Sequence, residues 1–332
     1  MSQIVRHVID SIAPASRAHG EAAAAAVAPA GAPVLERLAR ALGGAQHVPR
    51  PRAARRAIVV AIGDHGCGDP GLAMGADHPT VVAARAIADG AAALVHVARS
   101  SKSPILLVDA GAREPAHLPA DAIRLGRGPT LDLAREPAMT VVDAVLGLEA
   151  GIALAVSLTE PGPKVERPGF TAGRGIDVLA VGALGVGAEV SSAALLAAAT
   201  GRVPDGLGDA GATAAAARAA TATKDPPLER LAAFGGPETC VLAGLILGAA
   251  SVNVPVVLDG HATGTAALAA VALAPNAAGY LVAAHRGAFT QPAILAHLGL
   301  APVFEIGLGH GDGTGAAMLL PLIDQVAAIA SR

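Results

Sequence analysis

Short apolar runs ending in glycine, aspartate or histidine repeat along the chain, each followed by a longer stretch with helical character. The runs are residues 57–62, 105–108, 178–181, 254–258, 279–283 and 303–306. Continuous apolar runs bounded by turn residues fit strands buried on both faces. Strand, polar turn and helix in repetition predict an α/β protein with a parallel sheet. Residues 1–47 read as helical: 21–28 is almost pure alanine, and 34–42 carries a helical apolar spacing. The basic, proline-bearing segment 49–56 reads as a linker into the core. The Ala/Thr-rich stretch 212–223 fits a plain helix or a loose loop, and no unit repeats with a fixed period.

In an open α/β sheet, ligands sit outside the carboxyl ends of the strands. The polar residues just past each run are therefore the candidates: Asp64 and His65, Asp109, the turn 182–187, Asp259, His285 and Asp312. The segment Gly182-Ala183-Leu184-Gly185-Val186-Gly187 follows a run and precedes a helix-like stretch, 190–200. Its glycines let backbone N–H groups approach an anion at a helix N-terminus. A tight strand-to-helix turn explains the same pattern, and the spacing is that of neither a dinucleotide fingerprint nor a P-loop.

The segment from Gly307 to Gly315 alternates five glycines with His310, Asp312 and others. A carboxylate in such a loop can take a proton from a bound ligand, or Asp312 can cap the helix 316–329. His285-Arg286 can meet an anion or satisfy strand-end carbonyls. Asp64, His65, Asp69, Asp77 and His78 invite a metal reading, but their spacing matches no zinc pattern, and no metal or cofactor is expected.

Composition narrows the classes. Apolar residues make up 53% of the 332-residue chain and charged ones 15%, which excludes a disordered chain. With no Trp, one Tyr, four Phe and a net charge near -3, no nucleic-acid partner is expected. Cys67 and Cys240 are far apart and in no Cys-x-x-Cys pair, so a disulfide framework is not expected. No signal-peptide pattern opens the chain, and its longest apolar run, 240–251, is too short for a bilayer. A cytoplasmic protein with no membrane partner is the expectation.

Taken in order, the motifs resemble those of the nicotinate mononucleotide:5,6-dimethylbenzimidazole phosphoribosyltransferase family of cobalamin lower-ligand assembly. They are Gly63-Asp64-His65-Gly66, Gly90-Ala91-Ala92-Ala93, Arg135-Glu136-Pro137-Ala138-Met139-Thr140, the 182–187 turn, Gly235-Gly236 with 242–250, Val257-Leu258-Asp259-Gly260, His285-Arg286 and Gly311-Asp312-Gly313-Thr314-Gly315-Ala316. The resemblance runs from about Pro29 to the end. It implies a Rossmann-like parallel sheet as a large domain (49–315), a small helical domain from both chain ends (1–48 with 316–332), and a homodimer or a heterodimer with a paralogue. The implied activity moves 5-phosphoribose from nicotinate mononucleotide, or a related donor, to a benzimidazole- or purine-type base and releases nicotinate.

Carried across, the family's loop glutamate falls on Asp312, the expected general base, with His310 beside it. Gly185, Val186, Gly187, Gly311, Gly313 and Thr314 fall at the phosphate and ribose. Asp77, His78, Val82, Leu184 and His310 fall at the base pocket. This chain departs from the pattern at several points. Asp312 is one methylene shorter than glutamate. Ala183 replaces a second glutamate, and Ala188-Glu189-Val190 replaces Asn-Thr-Thr. Gly309 and His310 replace Arg and Leu, Gly287 replaces Ser, and Ala215 falls near a phosphate-side Lys. Gly75-Ala76-Asp77-His78-Pro79-Thr80 replaces Tyr-Pro-Gln-Glu-Val-Thr. Glu189 beside a phosphate turn repels an anion. Three readings therefore stand at this point: an active transferase with altered substrates, a silent paralogue that binds a ligand or partners an active homologue, or different chemistry on a nucleotide-like substrate.

Overall fold

The computed structural model describes residues 1–331 except 68–70, 127, 160–165, 168–169, 172–174 and 310. The chain opens with three helices, α1 (Gln3–Ser11), α2 (Arg17–Val27) and α3 (Pro33–Gln46). Ser2 and Ser16 cap the first two through their hydroxyls, supplying acceptors that a helix N-terminus lacks. Then come β1 (Arg56–Gly63), α4 (Pro79–Ala88), α5 (Ala93–Ser100), β2 (Ile105–Gly111), β3 (Ile123–Arg124) and α6 (Val141–Thr159). A two-residue ribbon, β4 (Glu166–Arg167) with β5 (Phe170–Thr171), stands apart from the main sheet. The chain continues through β6 (Val178–Leu184), α7 (Ala188–Thr200), α8 (Ala210–Ala220), α9 (Pro227–Phe234), α10 (Pro237–Ser251), β7 (Val256–Leu258) and α11 (His261–Leu273). It closes with β8 (Leu281–Ala283), α12 (Gln291–His297) and α13 (Thr314–Ala330).

Six strands pair in the order β3-β2-β1-β6-β7-β8, and every pairing is parallel. With the ribbon set aside this is the Rossmann-like doubly wound order, and the expected α/β class stands. The order reverses between β1 and β6, which run in register from Arg56 opposite Val178 to Ile62 opposite Leu184. Both faces of the sheet are covered, so strand residues such as Ile58, Val59, Val60 and Ile62 are fully buried.

One face packs on α6, α7, α8, α10 and α11, with Val5 and Val8 of α1 in the same core. The other packs on α4, α5, α13 and the pair α2–α3, where Leu38 and Leu42 meet a core shared with Leu320 and Ile323 of α13. The two chain ends thus share an apolar core with the sheet face carrying Ile58, Val60 and Ile62.

Two elements differ from the pattern. The run 303–306 makes one parallel bridge, Phe304 with His285, instead of a strand. It lies beyond β8 at the sheet edge, with Ile306 exposed, so nothing on its outer side holds it extended. Two apolar stretches are longer than 240–251: Pro79–Ser100, with 22 residues, and α6, with 19, where Asp143 and Glu149 interrupt the run in sequence without ending the helix. By length and composition α6 and the stretch Pro79–Ser100 could each cross a membrane, a test that core helices also pass. Here α6 lies against α10 so closely that a Cβ at Gly244 would overlap the Leu148 carbonyl.

Candidate active site at the sheet's switch point

A cavity of about 320 Å³ opens at the carboxyl end of β6, the neighbour of β1, between the first turns of α4, α7 and α11. Its wall includes Thr80, Leu184, Gly185, Val186, Glu189, His261, Gly311 and Asp312. This is where doubly wound sheets place ligands, because neighbouring loops diverge there.

Asp64, just past β1, organises the floor. It is fully buried: Oδ1 accepts hydrogen bonds from Thr80 Oγ1 (2.5 Å) and Val186 N (2.9 Å), and Oδ2 from Arg113 N (2.8 Å). A buried carboxylate needs such donors. The Val186 N–H is therefore occupied by Asp64. The turn also lies against β1, since a Cβ at Gly185 would overlap the Gly63 carbonyl oxygen.

His65 is buried behind this turn. Its N–H donates to Val186 O (2.9 Å), and its Nε2 lies 3.1 Å from Glu238 Oε1. Burial works against a charged ring, but the Glu238 carboxylate, joined by Asp64 and Glu189, outweighs it and holds the His65 pKa above its ordinary value. Cys67 follows; burial pushes its thiol up to about 12, so it stays protonated at neutral pH.

Asp259 and His285 form a second buried pair, Oδ1 to Nε2 at 2.8 Å. Asp259 Oδ2 also accepts Gly313 N (2.7 Å), and Oδ1 accepts Ala316 N (3.2 Å). Burial raises the Asp259 pKa, while His285 and the Gly313 N–H pull it back. Burial likewise opposes a charged His285, and Asp259 outweighs it to raise that pKa. Neither residue reaches the cavity wall; they hold the 311–316 segment in place.

Asp312 lines the cavity, and its Oδ1 accepts the Thr314 N–H at 3.0 Å. Gly313, not Asp312, is the N-cap residue of α13, so Asp312 braces the turn ahead of the helix rather than capping it. The loop sits over β6 so tightly that a Cβ at Gly182 would overlap the Asp312–Gly313 peptide. Glu189, in the first turn of α7, is exposed and also lines the cavity. The N–H groups of Val186, Gly313 and Thr314 are spent on Asp64, Asp259 and Asp312.

Other sequence candidates lie elsewhere. His78 is buried as the N-cap residue of α4, and Asp77 and Val82 are exposed; none of the three is on the cavity wall, where Pro79, Thr80 and Ala83 represent α4. Arg286 is exposed and paired with Glu305 at 3.1 Å. Asp109 holds Ala112 N and Arg124. Asp69 and His310 lie outside the described residues. Among the described residues no three His, Cys, Asp or Glu side chains are grouped to hold a metal.

The sequence pattern missed Thr80, Glu238 and His261. Glu238 and Thr80 sit inside helices and meet His65 and Asp64 only through folding. His261 stands two residues past Asp259, where a watch on strand ends could have found it.

A larger opening of about 740 Å³ lies between α6, α10 and the segment after β3. It contains neither Asp312 nor the 185–187 turn, and it adjoins exposed Leu131 and Leu146. We therefore assign the chemistry to the smaller cavity.

Fold and site together define the class: a Rossmann-like α/β protein with a small-molecule cavity at the switch point of its sheet. The chain belongs to the phosphoribosyltransferase family whose model matches residues 12–332. It is 36% identical over 307 residues to the nicotinate-nucleotide–dimethylbenzimidazole phosphoribosyltransferase of Roseiflexus sp. (strain RS-1), covering 87% of this chain and 82% of that one. The enzyme of the same name from Deinococcus radiodurans is 35% identical over 318 residues, covering 89% and 82%. The crystal structure of the enzyme so named from Thermus thermophilus superposes with a TM-score of 0.76 at 27% identity, covering 100% of this chain and 96% of that one.

Proposed function

We propose that this chain transfers 5-phosphoribose from nicotinate mononucleotide to a ring nitrogen of a benzimidazole- or purine-type base, in cobalamin lower-ligand assembly. The observation that carries the reading is Asp312 on the wall of the switch-point cavity, in a chain 36% identical to an enzyme named for this reaction. In the reaction the lone pair of the neutral base nitrogen forms the new bond to C1′ of the ribose. The bond from C1′ to the nicotinate nitrogen breaks, and its electron pair leaves with nicotinate. The base is then cationic and loses its N–H proton to the Asp312 carboxylate.

Asp312 Oδ1 keeps the Thr314 N–H, so Oδ2 is the oxygen that takes the proton. The phosphate is held by N–H groups without a hydrogen-bond partner among the described residues, those of Ala188 and Glu189 in the first turn of α7. Gly185 and Gly311, both on the cavity wall, border the ribose, while Thr314 is buried off that wall. Leu184 supplies the apolar wall under the base. Glu189 stands against the phosphate and beside any cationic ring, so its carboxylate favours the pyridinium of the donor over the dianion.

The same reading carries a cytoplasmic location and a homodimer. Val141, Val142 and Leu146 on α6 and Leu131 nearby are exposed, an apolar surface that a second copy would cover. The direct test is chromatography of nicotinate and the base nucleotide after incubation with nicotinate mononucleotide and a panel of azoles and purines. Equal formation of both products supports the reading; no nicotinate release with any base overturns it.

A further inference from the structure

His261 opens α11 and forms part of the cavity wall together with Leu184, Gly185, Val186 and Glu189. Neither ring nitrogen has a hydrogen-bond partner among the described residues; Nε2 is enclosed, which leaves Nδ1 as the nitrogen open to a ligand. A polar ring atom at the wall of a desolvated cavity is left unpaired until a ligand supplies a partner. The ring is also fixed in place. The Asp259 N–H donates to Thr263 Oγ1 (2.9 Å), and that hydroxyl donates to Gly260 O (3.0 Å), which ties down the first turn of α11. Phe289 packs edge-on against the imidazole, ring centres 5.6 Å apart.

Charge on the cavity points the same way. Its described wall carries the carboxylates of Glu189 and Asp312 and no Lys or Arg. Such a cavity favours a neutral or cationic ring that offers N–H donors. Burial holds the His261 pKa below its ordinary value, against the pull of Glu189, Glu238 and Asp259 and with the push of His65. The ring is thus neutral near pH 7, and a neutral imidazole offers one donor and one acceptor. A base edge bearing an amino group or an unsubstituted ring nitrogen can use either. A dimethyl-substituted edge can use neither.

We infer that His261 is a specificity-determining residue: it hydrogen-bonds the polar edge of the accepting base and selects an amino-substituted azole over a methyl-substituted one. This rests on the transferase reading for the identity of the cavity's ligand, but not for the binding itself.

The test is equilibrium binding of adenine and of dimethylbenzimidazole to the full chain and to two variants, His261→Leu and His261→Gln. Loss of one hydrogen bond in a desolvated site corresponds to about a ten-fold loss of affinity. His261→Leu should weaken adenine by about ten-fold and leave dimethylbenzimidazole unchanged or tighter. His261→Gln, which keeps a donor and an acceptor, should recover part of the adenine affinity and show that the fold is intact. An adenine-to-dimethylbenzimidazole ratio equal in the parent and in His261→Leu overturns the inference, as does a parent chain that binds neither base. Nicotinate release is measured alongside. A preference that follows His261 without any release removes the transferase reading and leaves the role of His261 standing.

Discussion

Asp259 Oδ2 accepts the Gly313 N–H at 2.7 Å, joining the end of β7 to the loop that carries Asp312. The same carboxylate holds Ala316 N and the His285 ring, so one buried group sets where the cavity's candidate base stands. Removing one partner of a buried pair leaves the other uncompensated, at about 3–5 kcal/mol. Asp259→Ala should therefore lower unfolding stability by about that amount in urea melts. Asp259→Asn keeps the shape and should lose less. A melt of Asp259→Ala like that of the parent would show that this pair does not organise the loop.

For Asp312 the expectation is catalytic. General-base catalysis contributes about 10²- to 10⁴-fold, so Asp312→Ala should lower kcat within that range and change KM little. The lost hydrogen bond to the Thr314 N–H should cost about 1 kcal/mol of stability. Asp312→Glu lengthens the side chain by one methylene, keeps a carboxylate in the loop and should retain turnover. Steady-state kinetics on the three proteins checks this, and an undiminished kcat in Asp312→Ala would place the base elsewhere.

The raised pKa of His65 sets a pH dependence. A histidine that binds its proton more tightly when folded adds stability that is fully present below its unfolded value, near 6.5, and is lost as pH rises through the folded value. His285, raised by Asp259, acts with the same sign. Melting temperature should therefore fall on the alkaline side. Glu238→Gln removes the largest of the carboxylate effects that outweigh burial at His65, so its melting curve should lose part of that alkaline slope. Scanning calorimetry from about pH 6 upward measures it, starting near the unfolded histidine value. An unchanged slope would mean that His65 is neutral in the fold.

Gly185 tests the close approach of β6 and β1. A Cβ there would overlap the Gly63 carbonyl, which is backbone and cannot rotate away. Gly185→Ala should displace the 185–187 turn and weaken nicotinate mononucleotide binding by at least about ten-fold, a change of about 1.4 kcal/mol read by calorimetry. Affinity equal to the parent's would show that the turn does not border the ligand.

On α6, Val142 is 66% exposed and Leu146 37%. Val142→Glu with Leu146→Glu should convert a dimer into monomers by light scattering, with the fold retained by circular dichroism. A parent chain already monomeric at working concentration would remove the proposed pairing.

The sequence by itself determined the class of fold and the neighbourhood of the site. Apolar runs such as 57–62 must be buried on both faces, and turns such as Gly63-Asp64-His65-Gly66 must then lie at strand ends. It also marked Asp312, because a carboxylate among glycines is visible without a fold. Only the tertiary structure decided which polar groups line the cavity. Asp259 and His285 look like site residues in sequence, yet they are spent on each other and on Gly313 and Ala316. Glu238 and Thr80 look like ordinary helix residues, yet they complete the buried contacts of His65 and Asp64. The physical reason is that hydrogen-bond partners of buried groups come from segments far apart in the chain, and residue type and spacing carry no record of that pairing.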